Sequence, residues 1–133
     1  MNEKFQRIIN RLRENDETLT SIDLSFNNLR IEEIRALAEA LKINTKLTSI
    51  NLIYTNMGTG GAEALAEALQ DSAITSINLS ANNIGNEGAI ALAKIINETN
   101  LTSINLSFNN IGDEGAIALA DRLKINKKLT SIR

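Results

Sequence analysis

A unit of 27 or 28 residues occurs four times in succession in this chain of 133 residues. The copies span residues 19–46, 47–73, 74–100 and 101–128, and the fourth reads LTSINLSFNNIGDEGAIALADRLKINKK. A fixed period of this length is typical of solenoid proteins, in which each unit buries its apolar surface only against its neighbours. The repeat therefore restricts the fold to a stack of similar units.

The two halves of each unit have different hydrophobic periods. In the fourth copy, Ile104 and Leu106 alternate with Ser103, Asn105 and Ser107, which predicts a β-strand with the two sets on opposite faces. An asparagine-rich turn follows, and then apolar residues recur at i, i+3, i+4 and i+7, which predicts an amphipathic helix. In the fourth copy this stripe consists of Ala116, Leu119, Ala120 and Leu123.

A strand, a turn and a helix at a fixed period predict an α/β solenoid. Parallel strands should line the concave face of a curved stack and helices its convex face, because helices are wider than strands. In residues 1–18, Phe5, Ile8, Ile9 and Leu12 have the spacing of the helical stripe. We therefore expect this segment to be a helical cap on the first repeat, with residues 19–133 forming the repeats.

The pattern LxxIxLxxNxI followed by a helix that starts near glycine resembles the leucine-rich repeat. Four copies agree in both halves, and the unit is similar to the ribonuclease-inhibitor-like subclass of 28-residue helical repeats and to repeats of NOD-like receptors. The resemblance implies an asparagine ladder, in which the motif asparagine of each repeat bonds to the backbone of its neighbours. The matching positions are Asn27, Thr55, Asn82 and Asn109, and Thr55 offers fewer hydrogen bonds than asparagine.

Two absences from the composition exclude several kinds of chemistry. The chain contains no Cys and no His, which excludes disulfides, thiolate nucleophiles and the usual general base. No group of carboxylates in the sequence predicts a metal or acid–base site, so we expect neither an enzyme nor a cofactor. A net charge of −2 gives no reason to expect nucleic acid or an anionic membrane as partner.

The resemblance implies a protein-interaction module that binds a protein or peptide through its concave face. Candidate contact residues are Asp23, Asn51, Ile53, Tyr54, Asn78 and Asn105. The alternative is a solvated sheet face kept alike by recent copying of the repeats, since the centre of this face lacks the Trp, Tyr and Arg common at binding hot spots. The second repeat departs most from the others, which makes Ile53 and Tyr54 the leading candidates. Phe26, Tyr54 and Phe108 share one place in the repeat, where we expect packing at the strand–loop corner.

The last five residues, LTSIR, repeat the start of a unit. Three explanations are open: a fragment of a longer solenoid, an edge that pairs with a second copy, and a frayed end. A paired edge predicts a homodimer through Leu129, Ser131, Ile132 and Arg133. We therefore keep a structural or self-assembly role as the alternative function. The sequence shows no signal peptide, so we expect a cytoplasmic protein, with a secreted bacterial effector as the alternative.

Overall fold

The computed structural model describes residues 2–133, in which five helices alternate with five short strands. The helices are α1 (Glu3–Arg13), α2 (Ile31–Ile43), α3 (Gly58–Leu69), α4 (Gly85–Ile95) and α5 (Asp113–Leu123), with a 3₁₀ turn at Ile96–Glu98. The strands are β1 (Ser21–Asp23), β2 (Ser49–Asn51), β3 (Ser76–Asn78), β4 (Ser103–Asn105) and β5 (Ser131–Ile132).

The strands form one parallel sheet in chain order, so each repeat adds one strand beside the previous one. Equivalent residues are paired: Ser49 lies opposite Ser21 and Ser76, and Asn78 lies opposite Asn51 and Asn105. This register places identical side chains in rows across the sheet. The predicted α/β solenoid, with a curved parallel sheet inside and helices outside, is confirmed.

The core lies between the sheet and the helices and is built from the same few positions of each repeat. The central isoleucines of the first four strands and the central leucines of α2 to α4 are at most 5% exposed. These residues are Ile22, Ile50, Ile77, Ile104, Leu37, Leu65 and Leu92. Since aromatic residues make up only 3% of the sequence, aliphatic side chains provide almost all of this packing.

The two ends of the stack differ. Helix α1 covers the first repeat with Phe5, Ile9 and Leu12, which are at most 2% exposed, whereas Ile8 is half-buried. At the other end, Ala116 and Ala120 are exposed, although the equivalent alanines of α3 and α4 are buried against the next repeat. The helical stripe predicted for the fourth copy is therefore buried only in part, since no further repeat covers α5 within the described residues.

Close contact between neighbouring helices depends on glycine at one place in the repeat. A Cβ atom added at Gly88 of α4 would lie 3.2 Å from the Ala62 Cβ of α3 and would overlap the Ile84 side chain. By contrast, Gly60 of α3 is exposed, and the nearest atom to an added Cβ is Ile31 Cδ1 at 3.8 Å. The close approach of α4 to α3 therefore requires glycine at position 88.

Candidate protein-binding surface

The turn after each strand is held by the side chain predicted for the asparagine ladder. Asn82 is 2% exposed, and its Nδ2 group donates to the carbonyl oxygens of Leu52 (2.8 Å), Leu79 (3.0 Å) and Ser80 (3.1 Å). Its Oδ1 accepts the backbone N–H groups of Thr55 (2.9 Å) and Met57 (3.1 Å). One side chain thus joins the second and third repeats.

The same arrangement joins the third and fourth repeats through Asn109. Its Nδ2 donates to Leu79 (2.8 Å) and Leu106 (3.0 Å), and its Oδ1 accepts the Asn82 N–H at 2.8 Å. At the second repeat, the Thr55 hydroxyl donates to the Leu52 carbonyl at 3.0 Å within its own repeat. No side-chain hydrogen bond from Thr55 reaches the first repeat within residues 2–133, so that contact in the ladder is missing.

Asn27, the ladder position of the first repeat, is exposed and donates only to carbonyls of its own turn. These are the carbonyl of Leu24 at 2.8 Å and that of Ser25 at 3.2 Å. The ladder is therefore strongest between the second and fourth repeats. This is also where the sheet carries its most regular rows of polar side chains.

The concave face presents rows of serine and asparagine. Asn51, Asn78 and Asn105 are half-buried, and each Oδ1 accepts the backbone N–H two residues later, at 3.0 to 3.1 Å. The oxygen of each amide is therefore occupied by the local turn, and its Nδ2 group is directed away from that turn. The sequence predicted these residues on the concave face, but it did not show which end of the amide is available.

Asp23 occupies the asparagine place in the first strand and gives this row an acidic end. Its Oδ1 accepts the Ser25 hydroxyl at 2.6 Å and the Ser25 N–H at 2.9 Å. These two hydrogen bonds lower the pKa of Asp23, so the carboxylate is ionised at neutral pH. Arg133, which follows β5, gives the opposite end of the sheet a positive charge, and its backbone N–H donates to the Ile104 carbonyl at 3.1 Å.

Three exposed aromatic residues occupy the turn that follows the strands. Phe26, Tyr54 and Phe108 are 73%, 64% and 87% exposed. The prediction that these residues pack at the strand–loop corner is therefore wrong. The physical reason is the backbone: φ is +61°, +52° and +58° at these residues, and this left-handed conformation directs the side chain away from the core. The Asn-Asn pair next to Phe26 and Phe108 is the sequence signal of such a turn.

Two of these aromatic side chains, Phe26 and Tyr54, border a shallow groove. The rings of Phe26 and Tyr54 are in contact, with centroids 5.9 Å apart and planes inclined by 60°. The groove has a volume of about 360 Å³ and continues past Tyr54 to Ala81, where the aromatic side chain is absent. Its other lining residues are Asn28, Asn56, Asn82 and Asn83. Ile53, a leading candidate from the sequence together with Tyr54, is half-buried and does not line this groove.

The C-terminal edge residues form the last strand of the sheet. Strand β5 pairs with β4 through Ser131 and Ile132, and its other side is unpaired within residues 2–133. Leu129 is half-buried against the core, Ile132 is 41% exposed, and Ser131 and Arg133 are exposed. This edge is separate from the aromatic groove, so the structure contains two distinct candidate contact surfaces.

Neither a metal-ion site nor a membrane-spanning segment is found in the described part of the chain. Among residues 2–133, no group of three or more acidic side chains is arranged to hold a metal ion. None of the five helices has the length and apolar character that a bilayer-spanning segment requires.

Comparison with known proteins identifies the repeat. A family model described as "Leucine Rich repeat" matches residues 15–32, 44–66, 72–93 and 97–120. A search of curated proteins gives no match. Neither this match nor the structures compared below distinguish a subclass, so the similarity to ribonuclease-inhibitor-like repeats and to NOD-like receptors stays a prediction.

Two solved structures are similar to the chain over nearly its whole length. One is described as leiomodin-1 actin-binding site 2; it has a TM-score of 0.89 and 27% identity, over 99% of this chain and 79% of that one. The other is the tropomodulin C-terminal domain from Caenorhabditis elegans, with a TM-score of 0.86 and 21% identity, over 96% of this chain and 80% of that one. At 21% identity, the second likeness shows the fold alone.

Proposed function

The chain belongs to the leucine-rich repeat family, and from that premise we propose that it is a non-catalytic module that binds a protein partner. The partner contacts the concave sheet face, including Asp23, Asn51, Ile53, Asn78 and Asn105, together with the row of exposed aromatic residues beside it. The observation that carries this proposal is the position of the aromatic side chains.

Phe26, Tyr54 and Phe108 are placed where folding gains little from them. A non-glycine residue in the left-handed region costs roughly 1–2 kcal/mol relative to an ordinary conformation, and side chains that are 64% to 87% exposed recover little of this through burial. Asparagine or glycine would form the same turn with less strain. Exposed aromatic side chains supply large, rigid contact area in protein interfaces, which is the use we assign to them.

Site-specific photo-crosslinking tests this proposal. A photoreactive amino acid is introduced in separate variants at Asn51, on the concave face, and at Glu63, on the convex face. Each variant is irradiated in an extract of the cells that produce the protein. We expect an adduct with one protein from position 51 and not from position 63. Equal labelling at both positions would contradict a defined binding surface.

A second set of variants tests the aromatic row. Tyr54→Asn and Phe108→Asn introduce a residue that tolerates the left-handed turn. Both variants should therefore fold normally, as judged by circular dichroism. The adduct formed from position 51 should decrease in each variant, and Glu63→Gln should leave it unchanged. If both asparagine variants crosslink like the parent, the aromatic residues do not contribute to binding.

Actin is the first named partner to test, because the leiomodin-1 structure that resembles this chain is described as an actin-binding site. Co-sedimentation with filaments and sizing-column chromatography with monomeric actin would detect either form of binding. Saturable binding that Phe108→Asn weakens would identify the partner. Absence of binding to both forms would exclude actin and leave the general proposal to the crosslinking experiment.

The alternative function is self-association through Leu129, Ser131, Ile132 and Arg133. It is supported by the unpaired side of β5 and by the exposed side chains of Ile132 and Ile125, which are 41% and 71% accessible. Light scattering across a range of concentrations should then give a dimer for residues 1–133 and a monomer for residues 1–128. A monomer in both cases would reject this alternative.

A further inference from the structure

A pocket of about 210 Å³ lies on the concave face where β3, β4 and β5 meet. Six polar side chains line it: Ser76, Asn78, Ser103, Asn105, Ser131 and Arg133. The pocket is separate from the aromatic groove, with which it shares no lining residue. Because the strands are in register, the serines form one short row and Asn78, Asn105 and Arg133 form a second row beside it.

The asparagine side chains present donor groups to this pocket. The Oδ1 atoms of Asn78 and Asn105 accept the N–H groups of Ser80 and Ser107, each at 3.0 Å. Reversing either amide would set its NH₂ group against a backbone N–H, so the local turn fixes the orientation. Neither Nδ2 group has a hydrogen-bond partner among residues 2–133, and both are left for a ligand.

The other polar groups around the pocket are also donors or can act as donors. The hydroxyls of Ser76, Ser103 and Ser131 have no hydrogen-bond partner within residues 2–133, and the exposed Arg133 side chain forms no ion pair there. A guanidinium group carries five N–H donors and accepts no hydrogen bond. No Asp or Glu side chain lines the pocket. The acidic residue in the same row, Asp23, is two strands from Asn78, roughly 10 Å at ordinary strand spacing.

We propose that this pocket binds a carboxylate from an acidic, extended segment of the partner protein. The inference rests on the proposed function, since it specifies what the concave face recognises. A carboxylate accepts several hydrogen bonds at once and forms charge-assisted bonds with guanidinium and amide donors. The guanidinium group of Arg133 and the absence of Asp and Glu side chains favour it electrostatically, whereas the α-carboxylate of Arg133, which accepts the Leu106 N–H at 2.6 Å, reduces the net charge at this end of the row. The ionised Asp23 disfavours an acidic segment at the opposite end of the row, so the carboxylate is expected at the Arg133 end.

The test uses two capped peptides with the sequences Ala-Glu-Ala-Glu-Ala and Ala-Gln-Ala-Gln-Ala. The full chain labelled with ¹⁵N is titrated with each, and the side-chain amide signals of Asn78 and Asn105 are followed by NMR. We expect the glutamate peptide to shift both signals in a saturable way and the glutamine peptide to shift neither. Equal shifts with both peptides, or none at millimolar concentration, would overturn the proposal.

Asparagine-to-aspartate variants distinguish binding in the pocket from a general effect of net charge. Asn105→Asp keeps the oxygen that accepts the Ser107 N–H and replaces only the free donor by an acceptor. This variant loses a charge-assisted hydrogen bond and adds a repulsive charge, so its affinity for the glutamate peptide should fall by roughly 10-fold or more. Asn10→Asp makes the same charge change on the exposed surface of α1, at the opposite end of the stack. It should alter binding less than about 2-fold, since salt screens distant charges. Equal weakening by both variants would reject the pocket.

Failure of the carboxylate pocket can be distinguished from failure of the proposed protein-binding function. If a protein crosslinks at position 51 and Asn105→Asp does not affect it, the protein-binding function stands and the carboxylate pocket is wrong. If the acidic peptide binds the pocket but no protein crosslinks to the concave face, the proposed function fails and the pocket stands as a carboxylate site.

Discussion

Replacing Asn82 by alanine should destabilise the protein far more than the same change at Asn27. Both residues occupy the ladder position, but Asn82 is 2% exposed and Asn27 is exposed. Asn82 accepts the N–H groups of Thr55 and Met57, whereas Asn27 donates only to carbonyls of its own turn. The pair therefore compares a side chain that joins two repeats with one that does not.

The magnitude follows from the partners that each variant leaves without a hydrogen bond. The carbonyls of Leu52, Leu79 and Ser80 each accept a second hydrogen bond, from Thr55 Oγ1, Asn109 Nδ2 and the Tyr54 N–H, and remain satisfied in Asn82→Ala. The N–H groups of Thr55 and Met57 lose their partner. A buried polar group without a partner costs about 1–3 kcal/mol, so we expect a loss of roughly 3–5 kcal/mol. Asn27→Ala removes an exposed side chain that accepts no backbone N–H, so we expect a loss of about 1 kcal/mol or less.

Urea unfolding followed by circular dichroism and by tyrosine fluorescence measures the difference. Tyr54 is the only tyrosine and the chain has no tryptophan, so the fluorescence reports on the second repeat, beside the ladder. Coincident transitions would justify a two-state treatment. With a urea dependence of about 1.5 kcal/mol per molar, the midpoint of Asn82→Ala should lie roughly 2 M below that of Asn27→Ala. Midpoints that differ by less than about 0.5 M would refute the ladder argument.

Four further variants can be tested by the same unfolding measurement. Thr55→Asn should raise the free energy of unfolding by about 1 kcal/mol, because asparagine can restore the missing contact with the first repeat. Gly88→Ala should lower it by roughly 1–3 kcal/mol through overlap with the neighbouring helix, whereas Gly60→Ala, at an exposed helical position, should raise it by about 0.5–1 kcal/mol. Hydrogen bonds from Thr18 and from Arg11 lower the pKa of Asp16 from 3.8 to about 2, so its stabilising effect should be complete above pH 4 and be lost as the pH falls to 2. Asp16→Asn should remove this part of the acid destabilisation.

The fold could be predicted because each repeat states the same pattern in both of its halves. Ile104 and Leu106 alternate with polar residues, and the helical stripe returns every 27 or 28 residues, so the sheet and helix layers follow from hydrophobic period alone. The exposure of part of the apolar stripe of α5 could not be predicted from this period. Its residues resemble those of the inner repeats, and burial depends on whether a neighbour covers them.

The binding surface was less predictable because it depends on backbone angles and side-chain orientation. Phe108 is a large apolar residue of the type that usually lies in a core, and its φ of +58° places the ring in solvent. The sequence likewise puts Asn78 and Asn105 on the concave face, but which atom of each amide is free depends on hydrogen bonds with Ser80 and Ser107. These features arise from local geometry that hydrophobic patterns do not encode.

The residues that hold the turns together differ from the residues proposed to contact a partner. The buried ladder residue Asn82 and the core positions account for the register of the sheet, and Ala81, in the aromatic place of the third repeat, shows that this turn forms without a ring. The rings of Phe26, Tyr54 and Phe108 are therefore not needed to form the turn, although each occupies a strained conformation. A large apolar side chain that the turn does not need and that gains little burial supports the proposed contact with a partner. The absence of a ring at Ala81 gives the row a gap, and under the proposed function this gap is the place where a partner's side chain would enter.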